Sequence, residues 1–167
     1  MRNYFLIRED EQFGNKIRPI PVEVRGQSFH NIPNVSYVQV DSTGNAQHLD
    51  WMDRPRVIIS DAMKLLLDKY NSNLQFKIIH AIDQVNSMQT TYWFVEIPAV
   101  ECTSAQCQLN NNGTIKELSL DYSQIQKHHI FTIEDISEPY VVISLELAES
   151  MLRRSMRGFL LTRVALA

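Results

Sequence analysis

A short apolar strand, a serine, an amphipathic helix and a second apolar strand occur in that order twice, and this recurrence limits the fold more than any other feature of the chain. The first copy reads Arg56-Val57-Ile58-Ile59-Ser60, a helical stretch through Tyr70, then Phe76-Lys77-Ile78-Ile79. The second reads Tyr140-Val141-Val142-Ile143-Ser144, a helical stretch through Met156, then Gly158 to Val164. In each copy the serine stands where strand gives way to helix, and its hydroxyl suits the unpaired amides of the first helical turn. Asp61 and Glu146 add favourable negative charge at those ends. Helical spacing puts Ala62, Leu65, Leu66 and Tyr70 on the packing face of the first helix, and Leu145, Ala148, Met151, Leu152 and Ser155 on that of the second. Gly158 is expected to end the second helix at positive φ. The expected fold is α+β: a mixed, mostly antiparallel sheet with two strand-helix-strand units, about 56–79 and 140–164, whose helices pack on the sheet.

The other segments supply the remaining strands. Thr91 to Val100, rich in aromatic and β-branched residues, reads as a long central strand, and Asn110-Asn111-Asn112-Gly113 ends in a tight-turn signal. Tyr4 to Ile7 and Val35 to Val40 have strand patterns, whereas Pro19 and Pro21 make Ile17 to Val24 an edge strand or an extended arm. At 167 residues the chain is read as a single domain, 1–167, with an irregular β-rich part over 1–50 and a regular part over 51–167. The first apolar run is too short for a secretory signal or a spanning helix, so no membrane association is expected. Cys102 and Cys107 are then expected as free thiols of a cytoplasmic protein. A formal net charge of -3 supplies no field toward phosphate backbones and disfavours nucleic acid as a partner. Arg153, Arg154 and Arg157 suit the terminal carbonyls of the second helix instead.

No residue pattern spells out a reaction. The five glycines are scattered, which excludes a phosphate-cradling loop, and Ser60 and Ser144 lack the small neighbours of a nucleophile elbow. Adjacent His128 and His129 would point to opposite faces of a strand, and Cys102 and Cys107 only approximate a zinc pair, so no metal or cofactor is expected. Glu96, Glu101, Asp121 and His129 are the residues from which a hydrolase or transferase site would be built, and such a small enzyme is one alternative. A regulatory interaction domain, including a homodimer, is another. Asp41, Asp50 and Asp53 around Trp51 combine acid with an aromatic anchor and form the candidate partner-binding surface, although burial under a loop is the commoner fate of such a tryptophan. Trp93, in the most apolar strand, is assigned to the core.

A family resemblance points further. Tyr140 to Ser144, Ala148-Glu149-Ser150-Met151-Leu152-Arg153-Arg154 and Gly158-Phe159 occur in order after Val57-Ile58-Ile59-Ser60-Asp61, Tyr92-Trp93-Phe94 leading toward Cys102, and His129-Ile130-Phe131. This ordered set, over roughly residues 53–164, resembles a bacterial family of polymorphic-toxin immunity proteins typified by a Myxococcus member. The resemblance implies a non-enzymatic cytoplasmic protein, its regular part at 51–167, that binds a cognate toxin domain and blocks it. The matching positions are core and capping residues, so it transfers no contact residue.

Overall fold

The computed structural model describes every residue except Asp135. In chain order its strands and helices are β1 (Tyr4–Glu9), β2 (Val35–Gln39), β3 (Trp51–Met52), β4 (Ile58–Ser60), α1 (Asp61–Tyr70), β5 (Gln75–Asp83), β6 (Met88–Glu96), β7 (Ala99–Val100) and β8 (Gln108–Leu109). They continue as β9 (Ile115–Glu117), β10 (Ser119–Leu120), α2 (Tyr122–Ile125), β11 (Ile130–Ile133), β12 (Val141–Ser144), α3 (Leu145–Arg153), β13 (Phe159–Arg163) and β14 (Ala165–Leu166). The fold is α+β, with mixed sheets in which antiparallel pairings predominate. It divides into two compact units, one of Met1–Arg8, Ile97–Arg154 and Leu160–Ala167, the other of Glu9–Glu96 and Ser155–Phe159. The first copy of the repeated pattern lies wholly in the unit of Glu9–Glu96, and the second lies in the other unit except for Ser155–Phe159.

The second-named unit is built on a five-stranded sheet in the order β2-β5-β6-β4-β3. Its aromatic strand β6 is central, as its composition predicts, and pairs antiparallel with both β4 and β5, but it ends at Glu96, and the expected continuation to Val100 is instead β7 of the other sheet. Strands β4 and β5 are therefore parallel to each other with one strand between them, a split strand-helix-strand unit. One face of the sheet buries Met52, Ile58, Ile79, Ala81, Tyr92 and Phe94 under Val24, Phe29 and Ile32. The proline-containing segment is thus an extended arm with short 3₁₀ turns at Val22–Val24 and Phe29–Asn31, and it covers the core. Lys77 fastens this cover by donating to the carbonyls of Phe29 and Ile32, each at 2.6 Å. On the other face α1 buries Met63, Leu66 and Leu67, while Leu65 is exposed. The packing face is consequently turned from the one centred on Ala62 and Leu65, because Met63, Leu66, Leu67 and Tyr70 complete a closer i, i+3, i+4, i+7 stripe.

The first-named unit has a five-stranded sheet in the order β13-β1-β12-β11-β7 and a short parallel pair β10-β14. Strand β1 runs antiparallel to β12, with Tyr4 opposite Ser144. Val164 N–H donates to the Tyr4 carbonyl at 3.0 Å and Asp10 N–H to that of Gly158 at 2.8 Å, so β13 runs antiparallel to β1 as well. Again the strands flanking the helix are parallel and separated by one antiparallel strand. The plan is the same in both copies, but β6 follows its helix in a hairpin whereas β1 comes from the far end of the sequence. Helix α3 buries Leu147, Ala148 and Met151 and leaves Leu152 exposed. It ends at Arg153, and the positive φ nearest its end belongs to Ser155 at 54°. Gly158 does have positive φ, 103°, but for a different reason: a Cβ there would lie 2.9 Å from the Trp51 carbonyl oxygen and from Leu49 Cβ. Its smallness admits the close approach of Leu49 and Trp51.

Candidate functional site

Both serines are helix caps. Ser60 Oγ accepts from Met63 N–H at 3.2 Å and Ser144 Oγ from Leu147 N–H at 3.4 Å. Their surroundings extend the repeat beyond what the sequence displays. Ser60 N–H donates to the Asp50 carbonyl at 3.1 Å, and Ser144 N–H to that of His129 at 2.9 Å. Ser60 Oγ then donates to Asp50 Oδ1 at 2.6 Å, while Ser144 Oγ lies 2.8 Å from His129 Nδ1. Asp50 and His129 are thus equivalent positions, each just before the strand next to the serine. Opposite the serines stand two buried tyrosines, Tyr92 and Tyr4. Tyr92 Oη bonds the His48 ring, and Tyr4 Oη donates to the carbonyls of Ile125 and His128 at 2.7 and 3.0 Å. Burial pushes the Tyr92 phenol well above its ordinary range and lowers His48, which keeps both neutral at pH 7. Ser144 is fully buried, so the Ser144–His129 pair offers no hydroxyl to a substrate and acts as a structural latch.

The acidic cluster around Trp51 is also spent internally. Trp51 is 0% exposed, which corrects its reading as a surface anchor: β3 pairs with β4 and places the indole inside. Asp50 Oδ2 accepts from Arg157 N–H at 2.8 Å, and Asp53 Oδ2 accepts from Glu9 N–H at 2.8 Å. Asp41 is exposed, and its Oδ1 accepts from Thr43 N–H at 2.8 Å in a tight turn. The structure gives all three carboxylates positioning duties in loops.

The residues considered for acid-base or metal chemistry fall in several places. Glu96 lies exposed at the end of β6. Glu101 and Asp121, with His128, line an open hollow of about 620 Å³, where Asp121 Oδ1 accepts from Ser123 N–H at 2.9 Å and caps α2. Cys102 is buried, and desolvation aided by nearby Cys107 and Asp121 pushes its thiol up to about 12, so it is an inert core thiol. Among the described residues no group of three or more His, Cys, Asp and Glu side chains is arranged to hold a metal ion, and no helix is long and apolar enough to cross a membrane.

Among the described residues, one face of the β2-β5-β6-β4-β3 sheet is only partly covered. Helix α1 covers only the β4 and β6 side of its sheet face, where Trp93 Nε1 donates to Asp61 Oδ1 at 2.8 Å and Lys64 Nζ sits 4.9 Å from the centre of the Trp93 ring. Trp93 is therefore half-buried under the helix start rather than in the core. Beyond it the face is open. Register places Val35, Tyr37 and Gln39 of β2 beside Ile78, His80 and Ile82 of β5, and these beside Trp93, Thr91 and Gln89 of β6. The Tyr37 and His80 rings stack at 5.3 Å, and Gln89 Nε2 donates to His80 Nδ1 at 2.8 Å, so the imidazole is held from both neighbouring strands. Tyr37 is 66% exposed and Val35 45%. No formal charge lies among these nine residues. Sequence reasoning missed this face because Val35 to Val40 shows alternation but not which of its sides is left uncovered. Set against the sequence models of known protein families and against curated proteins, the chain matches none.

Proposed function

We propose that the protein is a non-enzymatic immunity protein that binds a cognate bacterial toxin domain in the cytoplasm and blocks it, and that the toxin docks on the open face of the β2-β5-β6 sheet. The observation that carries this reading is the face itself: uncharged and aromatic, with Tyr37 and Val35 exposed. Interface centres favour such aromatic, charge-poor patches. The ordered motifs between residues 53 and 164 support the toxin as the kind of partner. Because Asp41, Asp50 and Asp53 are held by the chain's own amides, the interface runs through apolar contact and not through a negative patch meeting a basic toxin.

The test is affinity capture of the tagged protein from its native cell with a high-salt wash, followed by growth rescue with whatever toxin domain is retained at near-equal stoichiometry. Retention that survives the wash, rescue of growth by wild type and loss of both in Tyr37→Asp support the reading. A retained toxin released by salt, or rescue unaffected by Tyr37→Asp, sinks the docking face. Absence of any toxin from cells that express one sinks the immunity reading.

A second reading, a small hydrolase or transferase, is favoured by one observation, the hollow holding Glu101, Asp121 and His128. It requires that Glu101→Gln abolish the protein's effect, whereas the immunity reading leaves rescue by that variant intact.

A further inference from the structure

The outer edge of the same sheet carries a second inference, independent of the toxin. In the β2-β5 ladder, Ile78 N–H donates to the Asn34 carbonyl at 3.1 Å and Val40 N–H to that of Ile82 at 3.0 Å. The pairing is parallel, so the even-numbered residues of β2 bond β5, and the N–H and C=O groups of Val35, Tyr37 and Gln39 point outward. Edge strands are ordinarily guarded by charge, proline, a bulge or shortness. Edge strands β3 and β7 have two residues each, and β13 carries Arg163. Strand β2 has five residues and none of these guards.

We propose that β2 pairs with β2 of a second copy of this chain, antiparallel, about a two-fold axis at Tyr37. The segment is self-complementary in that register. Tyr37 meets Tyr37, Val35 meets Gln39, and the outward groups of these three residues are mutually satisfied. The one formal charge at the flanks, Asp41, meets Pro33, so no like charges oppose each other. Antiparallel pairing about an axis normal to the sheet keeps both open faces on one side and makes them continuous. A single-strand contact covers less than the ~800 Å² per partner of a stable interface, so the dimer is weak and reversible.

Sedimentation of the purified protein across micromolar to millimolar concentration, together with amide hydrogen exchange, tests this directly. The expected result is a monomer–dimer equilibrium in which Val35, Tyr37 and Gln39 amides become protected as concentration rises. Tyr37→Pro removes an outward N–H without touching the β2-β5 ladder and weakens the dimer at least tenfold. Tyr37→Lys and Tyr37→Glu each stay monomeric alone and dimerise when mixed, a result that does not depend on the fold tolerating proline. A protein monomeric throughout, a dimer that survives Tyr37→Pro unchanged, or charge variants that fail to restore each other overturns the proposal. Failure here leaves toxin capture unaffected, so the two readings are separable.

Discussion

Glu9 gives the sharpest test of how the arm is held. Its side chain is 1% exposed, and Arg18 grips it with two bonds, Nη1 to Oε1 at 3.0 Å and Nη2 to Oε2 at 2.7 Å. Lys16 Nζ approaches at 3.4 Å and is itself only 7% exposed. Burial pushes the Glu9 carboxyl up, but the bonds and charges of Arg18 and Lys16 outweigh it and hold the group below its ordinary value near 4.5. Glu9→Gln keeps the shape and removes the charge, which leaves the Lys16 ammonium, bonded to the Asp10 carbonyl at 2.9 Å, buried without the Glu9 counter-charge. Breaking one side of a buried pair costs about 3–5 kcal/mol. Arg18, 40% exposed, recovers part of its share by turning to water, so the expected loss is about 3 kcal/mol, or roughly 6–12 °C in Tm for a chain of this size. Glu11→Gln is the control: Glu11 pairs with Arg54, both side chains are nearly two-thirds exposed, and its expected cost is below about 1 kcal/mol. Urea unfolding at pH 7 measures both. The sign with pH follows from the lowered carboxyl: the contribution is complete above the unfolded value near 4.5 and is lost as pH falls through the folded one. Equal stabilities for the two variants at pH 7 refute the argument.

Gly158→Ala meets the Trp51 carbonyl and Leu49 at 2.9 Å in a positive-φ conformation, so a loss of about 2–4 kcal/mol is expected by thermal unfolding. Ser36 Oγ is buried without a hydrogen-bond partner, so Ser36→Ala is expected to leave stability unchanged or raise it by about 1 kcal/mol; a loss of that size in urea unfolding would show the hydroxyl to be satisfied. Asp83 accepts from Ser42 Oγ and from Asn86 Nδ2 at 2.9 Å, and these bonds pull its carboxyl down to about 2. Its stabilising contribution is therefore present above its ordinary value near 3.8 and fades toward pH 2, with a carboxyl carbon NMR titration as the check.

The local parts of this fold were legible in the sequence and the distant ones were not. Ser60 and Ser144 announce helix starts because the capped amides lie three residues away, and β6 declares its central place through its own aromatic run. The Asp50-Trp51-Met52-Asp53 stretch looks like surface because the groups that hold it, Ser60, Arg157 and Glu9, lie elsewhere in the chain. The helix faces were displaced for a milder reason, since two overlapping stripes compete in α1 and only packing against the sheet selects Met63 and Leu67. The open face was hidden altogether: no local pattern states how far a helix reaches across its sheet.

The strand that fills the gap in each repeat sets the order in which the chain can take shape. β6 is made directly after β5, so that sheet closes by a hairpin as soon as both strands are available. Among the described residues β1 pairs with β12 and β13, and more than a hundred residues are made before either appears. At ~5–20 residues per second on the ribosome, the apolar Tyr4-Phe5-Leu6-Ile7 segment waits roughly 7–26 s without its partners. Its aggregation risk is therefore expected to be greatest during synthesis.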